Sequence, residues 1–304
     1  MLNIDNNSDG KKTMLEILAR RSSTHVILAP ASHVVEVAPI LETVPVPVVS
    51  SPATQKERMF RLPTTTVLHA RLNLFQATQR PKFISGEWTQ SPEGKYGRAR
   101  VTGRLGQKHA DLVECMRSCT GRLFMDKEGR AVGVVDLYKV RLMLGSGGEL
   151  FSYEQTWKLV EELRASSITI QTEKTKVLGG IIDFLTEAED LVHDPLHPGK
   201  RRPLWEVTWG ITATELFNCD IPLHYHPKAI ISLKNGISQA LARLVLGHRS
   251  TPNGGWKLDG LINSVAGKVL TGTALRNARR AVRDDAAGLL EAGVMVAGDR
   301  VHAS

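Results

Sequence analysis

The pattern of apolar and polar positions changes character near residue 66. Before it, Lys11–Ser22 carries a short helical spacing through Met14, Leu15 and Leu18. The next stretch, Ala29–Gln55, is a tract of Ala, Val, Pro and Ser in which prolines at 30, 39, 45, 47 and 52 remove backbone donors and favour extended chain. Residues 1–65 read as a flexible N-terminal arm and Pro-rich linker, with a short strand near Val34–Val37.

From Val67 the spacing predicts folded elements. Val67–Phe75 alternates apolar and polar, a strand signature, and Arg98–Leu105 reads as a second strand. Gln107–Cys119 puts Ala110, Val113 and Met116 on one helical face. Arg122–Val135 reads as a hairpin turning at Asp126–Gly129. Asp136 is suited to cap a short helix Leu137–Leu144, which Gly145, Gly147 and Gly148 end. Ser152 caps a longer helix to about Ala165, with Tyr153, Trp157, Val160 and Leu163 inward. Ile168–Gln171 and Val177–Thr186 are β-prone around a turn at Glu173–Thr175. Short helix, turn, long helix and hairpin, in that order, make a winged helix-turn-helix, whose second helix enters a major groove.

Residues 193–203 are polar, basic and Pro-rich, and read as a basic linker between domains. The series then recurs. It comprises a strand Leu204–Trp209, an ordered segment Pro227–Leu233 and a helix Ile237–Gly247 with Ala240, Leu241, Leu244 and Val245 inward. A short strand Trp256–Leu258 follows, then a helix Gly260–Ala266 capped by Asp259 and ended by Gly267. A long helix runs from Thr271 or Thr273 to about Glu291, and a hairpin joins Val294–Ala297 to Arg300–His302. The expected class is α+β: two tandem winged-helix domains, 66–192 and 204–304, related by duplication of pattern rather than of letters.

Composition narrows the function. The chain has 304 residues, 42% apolar and 23% charged, as ordinary globular proteins do. Thirty-nine Lys and Arg against 31 Asp and Glu give +8, which points first to nucleic acid and second to an anionic membrane surface. Three cysteines, Cys115, Cys119 and Cys219, are too few for a disulfide framework, so a reducing cytoplasm is expected. Met1–Asp9 is polar and acidic, without a secretory apolar region, and the tract Val34–Val49 is broken by Glu36, Glu42 and three prolines. No membrane partner is expected.

The most informative charges lie on the last long helix. Leu275, Ala278, Val282, Ala286 and Leu289 share one buried face, and Arg276, Arg279, Arg280 and Arg283 form a stripe beside it. Like charges at that spacing repel unless an anion lies opposite, and Asp284 and Asp285 neutralise only the C-terminal part. Arginine suits bidentate contact with phosphate and with guanine. Arg276 and Arg279, with Asn277 and Thr273 beside them, are expected to read bases, and Arg280 and Arg283 to lie nearer the backbone. In the first domain, Ser152, Gln155, Thr156 and Lys158 offer donors at a helix N-terminus. Lys174 and Lys176 sit at the wing tip, and Lys200, Arg201 and Arg202 between the domains. A solvated basic face is the plainer alternative for each group.

Catalytic patterns are thin. His224-Tyr225-His226 matches the triplet that supplies metal ligands in HUH nicking enzymes, but none of Tyr96, Tyr138, Tyr153 and Tyr225 follows it as a nucleophile on a nearby helix. His193 and His197 have ligand spacing, which Pro195 and Pro198 break. Cys115 and Cys119 lie on an apolar helix face. No Walker loop, GxSxG, HExxH or CxxC pair occurs. No catalytic residue, metal or cofactor is assigned.

Several stretches resemble plasmid replication initiators of the TrfA and RepC type. Arg98–Asp111, with Gly103-Arg104-Leu105 leading into Gln107, His109 and Asp111, resembles their strand-to-helix lead-in. Asp136–Gly145 with Tyr153–Ile170 resembles their first helix-turn-helix. Trp256–Gly267 with Arg276–Val294 and the last hairpin resembles the second. The resemblance covers roughly Leu68–Ser304. It implies binding of double-stranded DNA at repeated origin sites (iterons), strand opening, and recruitment of a host helicase, initiator or sliding clamp. It also implies dimerisation through the first domain. Leu72-Asn73-Leu74-Phe75 is similar to a clamp-binding sequence, with Arg71 where Gln is expected. The expected function is sequence-specific initiation of plasmid replication without chemistry of its own. The alternatives are a plasmid or mobile-element transcription regulator with the same grip, and a nicking enzyme.

Overall fold

The computed structural model describes residues 63–303 except 91–96, 174–175, 220 and 249. The expected helix at Lys11–Ser22, the tract Ala29–Gln55, its strand and the wing-tip Lys174 lie outside the described residues. Those described all belong to one compact unit, Lys56–Ser304.

Burial, not alternation, governs the first segment. A two-residue strand β1 (Thr65–Thr66) pairs with β10 (Pro222–Leu223), and Val67–Arg71 is a helical turn, α1. The strand expected over Val67–Phe75 is therefore absent, and Thr65, expected to belong to the arm, is a strand residue paired with Leu223. Each residue here serves a different partner. The Arg71 guanidinium donates to Gly247 O, Asn73 Nδ2 to Ser264 O, and the Gln76 amide to Leu105 O. Leu72, Leu74 and Phe75 are buried. A clamp cannot take hold of a sequence whose apolar side chains are already in the core, which corrects that expectation.

The first half carries two four-stranded antiparallel sheets. One is ordered β2 (Ile84–Gln90), β3 (Arg98–Gly103), β6 (Ser167–Gln171), β7 (Lys176–Gly179). The other is ordered β4 (Thr120–Met125), β5 (Ala131–Val135), β9 (Arg201–Trp209), β8 (Ile182–His193). Helices α2 (Gln107–Ser118), α3 (Leu137–Leu144), α4 (Tyr153–Ala165) and α5 (Ile211–Cys219) accompany them. The β4–β5 hairpin turns where expected, because Asp126 Oδ1 accepts from the amides of Glu128 and Arg130. Asp136 caps α3 through the amides of Tyr138 and Lys139, and Ser152 Oγ caps α4 through that of Gln155.

Two expectations fail at sheet boundaries. Val177–Thr186 is not one strand: β7 stops at Gly179 and β8 starts in the other sheet. Gly210 lies so close that a Cβ on it would meet Gly180 O at 2.3 Å, so the crossing needs glycine. Residues 193–203 are not an interdomain linker. They turn a long hairpin, with Val192 opposite Arg202 and His193 opposite Arg201, and β9 pairs with β5. Polarity marked a solvent-exposed turn, whose tip Asp194 organises by accepting from Leu196 N and the His197 ring.

The second half surrounds its own apolar cluster, from Ile230 to Val301. It contains α6 (Lys228–Ile231), α7 (Gly236–Leu246), α8 (Leu258–Ala266), α9 (Gly272–Asp284) and α10 (Ala286–Glu291), with the sheet β11 (Trp256–Lys257), β13 (Arg300–Ala303), β12 (Val294–Ala297). Gly267, at φ +66°, ends α8 as expected. The single long helix expected to Glu291 is broken at Asp285. That residue is buried, and its carboxylate accepts from the amides of Lys234 and Asn235 and from Asn235 Nδ2. It anchors the start of α7 and does not neutralise the arginine stripe.

A buried polar network joins the halves. Arg243 of α7 donates to Glu114, Asp111 and Gln107 of α2 at 2.6–2.8 Å. Gln239 adds a donor to Asp111, and the Tyr225 hydroxyl donates to Glu114 at 2.6 Å. Burial pushes Asp111 up to about 6 against the pull of Arg243. His69 accompanies this cluster; burial, with the charges of Arg117 and Arg243, pushes it down to about 3.

His69 is thus neutral in the folded chain at pH 7, while an unfolded histidine protonates near 6.5. Its contribution is complete above about pH 6.5 and falls as pH drops towards 3, by up to about 1.4 kcal/mol per pH unit. Asp111 has the opposite sign between its unfolded value and about 6. Comparing wild type with His69→Gln isolates the histidine: urea midpoints at pH 7 and pH 5 should draw together in the variant. Equal acid sensitivity in both proteins would show that His69 is not held neutral.

Candidate nucleic-acid interface

The basic helix α9 sits on the second cluster through Leu275, Ala278 and buried Val282. That leaves Thr273, Arg276, Asn277, Arg280 and Arg283 exposed. Arg276 Nη2 donates to Thr273 Oγ1 at 3.0 Å. Arg280 lies 3.9 Å from Asp284, with both side chains largely exposed, so that pair is weak.

Arg279 differs. Its guanidinium grips Asp259 of α8 by two hydrogen bonds, one of 2.6 Å from Nε to Oδ1. The Arg279 bond holds Asp259 below the usual carboxylate range. Asp259 is therefore not the cap of α8; Lys257 occupies that position, and Asp259 ties the first turn of α8 to α9. Arg279, expected to read bases, is engaged with Asp259 in the free protein and there ties two helices together.

On α4, Gln155 and Lys158 are exposed, and Ser152 is exposed with its hydroxyl engaged as the cap. Thr156 is 2% exposed and its hydroxyl donates to Ser152 O at 2.8 Å. It cannot reach a ligand, which corrects its candidacy; a buried threonine satisfies itself on the preceding turn. Tyr153, expected inward, is 48% exposed and stacks on Trp157, with the Arg141 guanidinium also near its ring. Thr156→Val should leave DNA affinity within about twofold and cost only ~1 kcal/mol, the worth of one hydrogen bond; an affinity loss without loss of stability would restore Thr156 to the interface.

Lys200 and Arg201 are exposed at the β8–β9 turn, and Lys176 is exposed at the start of β7. Arg202 pairs with Asp136, the α3 cap, at 2.7 Å and lies over the Tyr138 ring. Burial opposes ionisation of Asp136, but the Arg202 bond and charge and two backbone amides hold it below the ordinary range. Arg202 is thereby committed to the fold rather than to a phosphate.

Sequence reasoning missed what the Gln107, His109 and Asp111 side chains do. All three are buried. Gln107 and Asp111 bind Arg243, and His109 closes the start of α2 by accepting from the Gly106 amide while its Nε2 meets Glu162 of α4 at 2.8 Å. Burial outweighs Glu162 and lowers the His109 pKa. Gln107, Asp111 and Glu114 recur at gaps of four and three, on one side of the helix, and that spacing was the available signal.

His224 and His226 are exposed on either side of Tyr225, whose hydroxyl is spent on Glu114. Among the described residues, no group of three His, Cys, Asp or Glu is placed to hold a metal ion, and no helix is long and apolar enough to cross a membrane.

No family model matches the chain, and no curated protein matches its sequence. A solved structure does. The fold, a mixed α/β arrangement of helices and several sheets, is similar to that in the crystal structure of domain 2 and domain 3 of RctB, with a TM-score of 0.50 at 12% identity over 77% of this chain and 94% of that one.

Proposed function

We propose that this protein initiates replication by gripping double-stranded DNA with two winged-helix units. In each unit a short helix precedes a longer one, α3 before α4 and α8 before α9, and a hairpin follows. The exposed Arg276, Arg280 and Arg283 on α9 carry the reading, because three cations without a close buried counter-charge suit an anionic groove. RctB is a replication initiator, and the shared fold supports the same role here. The sites are repeated elements of a plasmid origin, and the grip itself performs no chemistry.

Protection mapping of the full chain on the DNA flanking its own coding sequence tests this. Protected direct repeats beside an AT-rich stretch, with a log–log salt slope on the order of −7 for about eight phosphate contacts, are expected. A lone protected inverted repeat would make it a transcription regulator. A slope near zero with no protection would overturn both.

A further inference from the structure

The sheet β2–β3–β6–β7 buries one face, where Ala99, Val101, Ile168 and Ile170 enter the first core. Its other face gathers Trp88, Arg98, Arg100, Gln171, Lys176 and Leu178 by register. Arg100 lies opposite Trp88 on one side and Thr169 on the other; Arg98 lies opposite Gln171, and Gln171 opposite Lys176. Both arginines stand over the indole, with Cζ 4.4 Å and 5.3 Å from the ring centroid. Arg98 is held by two hydrogen bonds to Gln171 Oε1 at 3.0 and 3.2 Å. Leu178 is 62% exposed. Among the described residues, no carboxylate pairs with Arg98, Arg100 or Lys176.

We infer that this sheet face is a binding platform for single-stranded DNA, with Trp88, Arg98, Arg100 and Leu178 taking bases and Lys176 a phosphate. Guanidinium and indole planes are surfaces on which an unpaired base stacks, and the cations match the strand's charge. A duplex hides its base faces, so it would use the charges and leave the indole and Leu178 idle. The arginines are already ordered, Arg98 by Gln171 and both by the ring, so less freedom is lost on binding. The choice of DNA rests on the proposed function, since a strand of the opened origin is the single strand nearest to hand; the platform geometry does not.

The test uses the full chain, labelled dT20, rU20 and a random 30-base-pair duplex. Arg98→Gln with Arg100→Gln, both at exposed positions, should weaken dT20 binding about tenfold or more and leave duplex affinity within about twofold. Trp88→Phe should retain part of the dT20 affinity and remove part of the tryptophan quenching that dT20 causes. The inference is overturned if dT20 does not bind, if the double variant binds it normally, if dT20 and duplex affinities fall by the same factor, or if rU20 is preferred. A chain that binds dT20 through these residues but no duplex would sustain the platform and sink the proposed duplex grip.

Discussion

Arg243→Met is expected to destabilise the protein by about 3–5 kcal/mol, the cost of leaving buried charges without their partner. The arginine is 6% exposed, and it faces two carboxylates, Asp111 and Glu114, that are 4% and 1% exposed. Methionine supplies the volume but none of the donors. For a folded unit of this size the melting temperature should fall by roughly 6–20 °C. Adding Asp111→Asn and Glu114→Gln removes the stranded charges, so the triple variant should recover much of the loss. Thermal melts of wild type, single and triple variants decide the matter. A single variant that melts within 2–3 °C of wild type, a shift worth only about 1 kcal/mol, would mean that the network is not closed as described.

The network also has a mechanical consequence. Its donor sits on α7 and its acceptors on α2, so rotating one half against the other would break several buried charge-assisted bonds at once. The two proposed DNA-reading helices are thereby held in one relative disposition, which fixes the spacing of the sites they can read together.

Replacing Arg276 and Arg280 together by Ala should weaken duplex DNA binding by about 2–4 kcal/mol, roughly 30- to 1,000-fold, and lower the salt slope by about two if both meet phosphates. Both side chains are exposed and neither holds a buried partner, so the melting temperature should change little. Arg279→Ala should behave in the opposite sense. It frees Asp259, loosens α8 against α9 and reduces stability slightly, with affinity falling alike on all sequences. Titrations at several salt concentrations, each beside a melt, separate the two patterns. If the double variant binds as wild type does, α9 is not a recognition helix. If Arg279→Ala relaxes preference at one base position, the Asp259 pair opens in the complex and Arg279 reads bases.

Local chemistry made part of this legible. Asp136 before an apolar run and Ser152 before another marked two helix starts, and both side chains cap as expected, because an N-cap needs only its own next three residues. The β4–β5 and β12–β13 hairpins follow from turn residues between β-prone runs. The arginine stripe is visible because four basic residues recur at helical spacing, and three of them are exposed in the folded chain.

The sequence by itself determined these short-range features: caps, hairpins, amphipathic faces and a positive balance. Only the tertiary structure decided which polar residues serve the fold. Arg243 and its α2 acceptors stand 129–136 residues apart, and Arg202 and Asp136 66 apart. Neither periodicity nor composition carries a partner at that distance. The same limit turned the Val67–Phe75 alternation into a helical turn and a loop, since its residues are buried by elements far along the chain. It also made a hairpin of residues 193–203, because strand pairing is chosen by the neighbouring strand's free edge and not by the polarity of the turn.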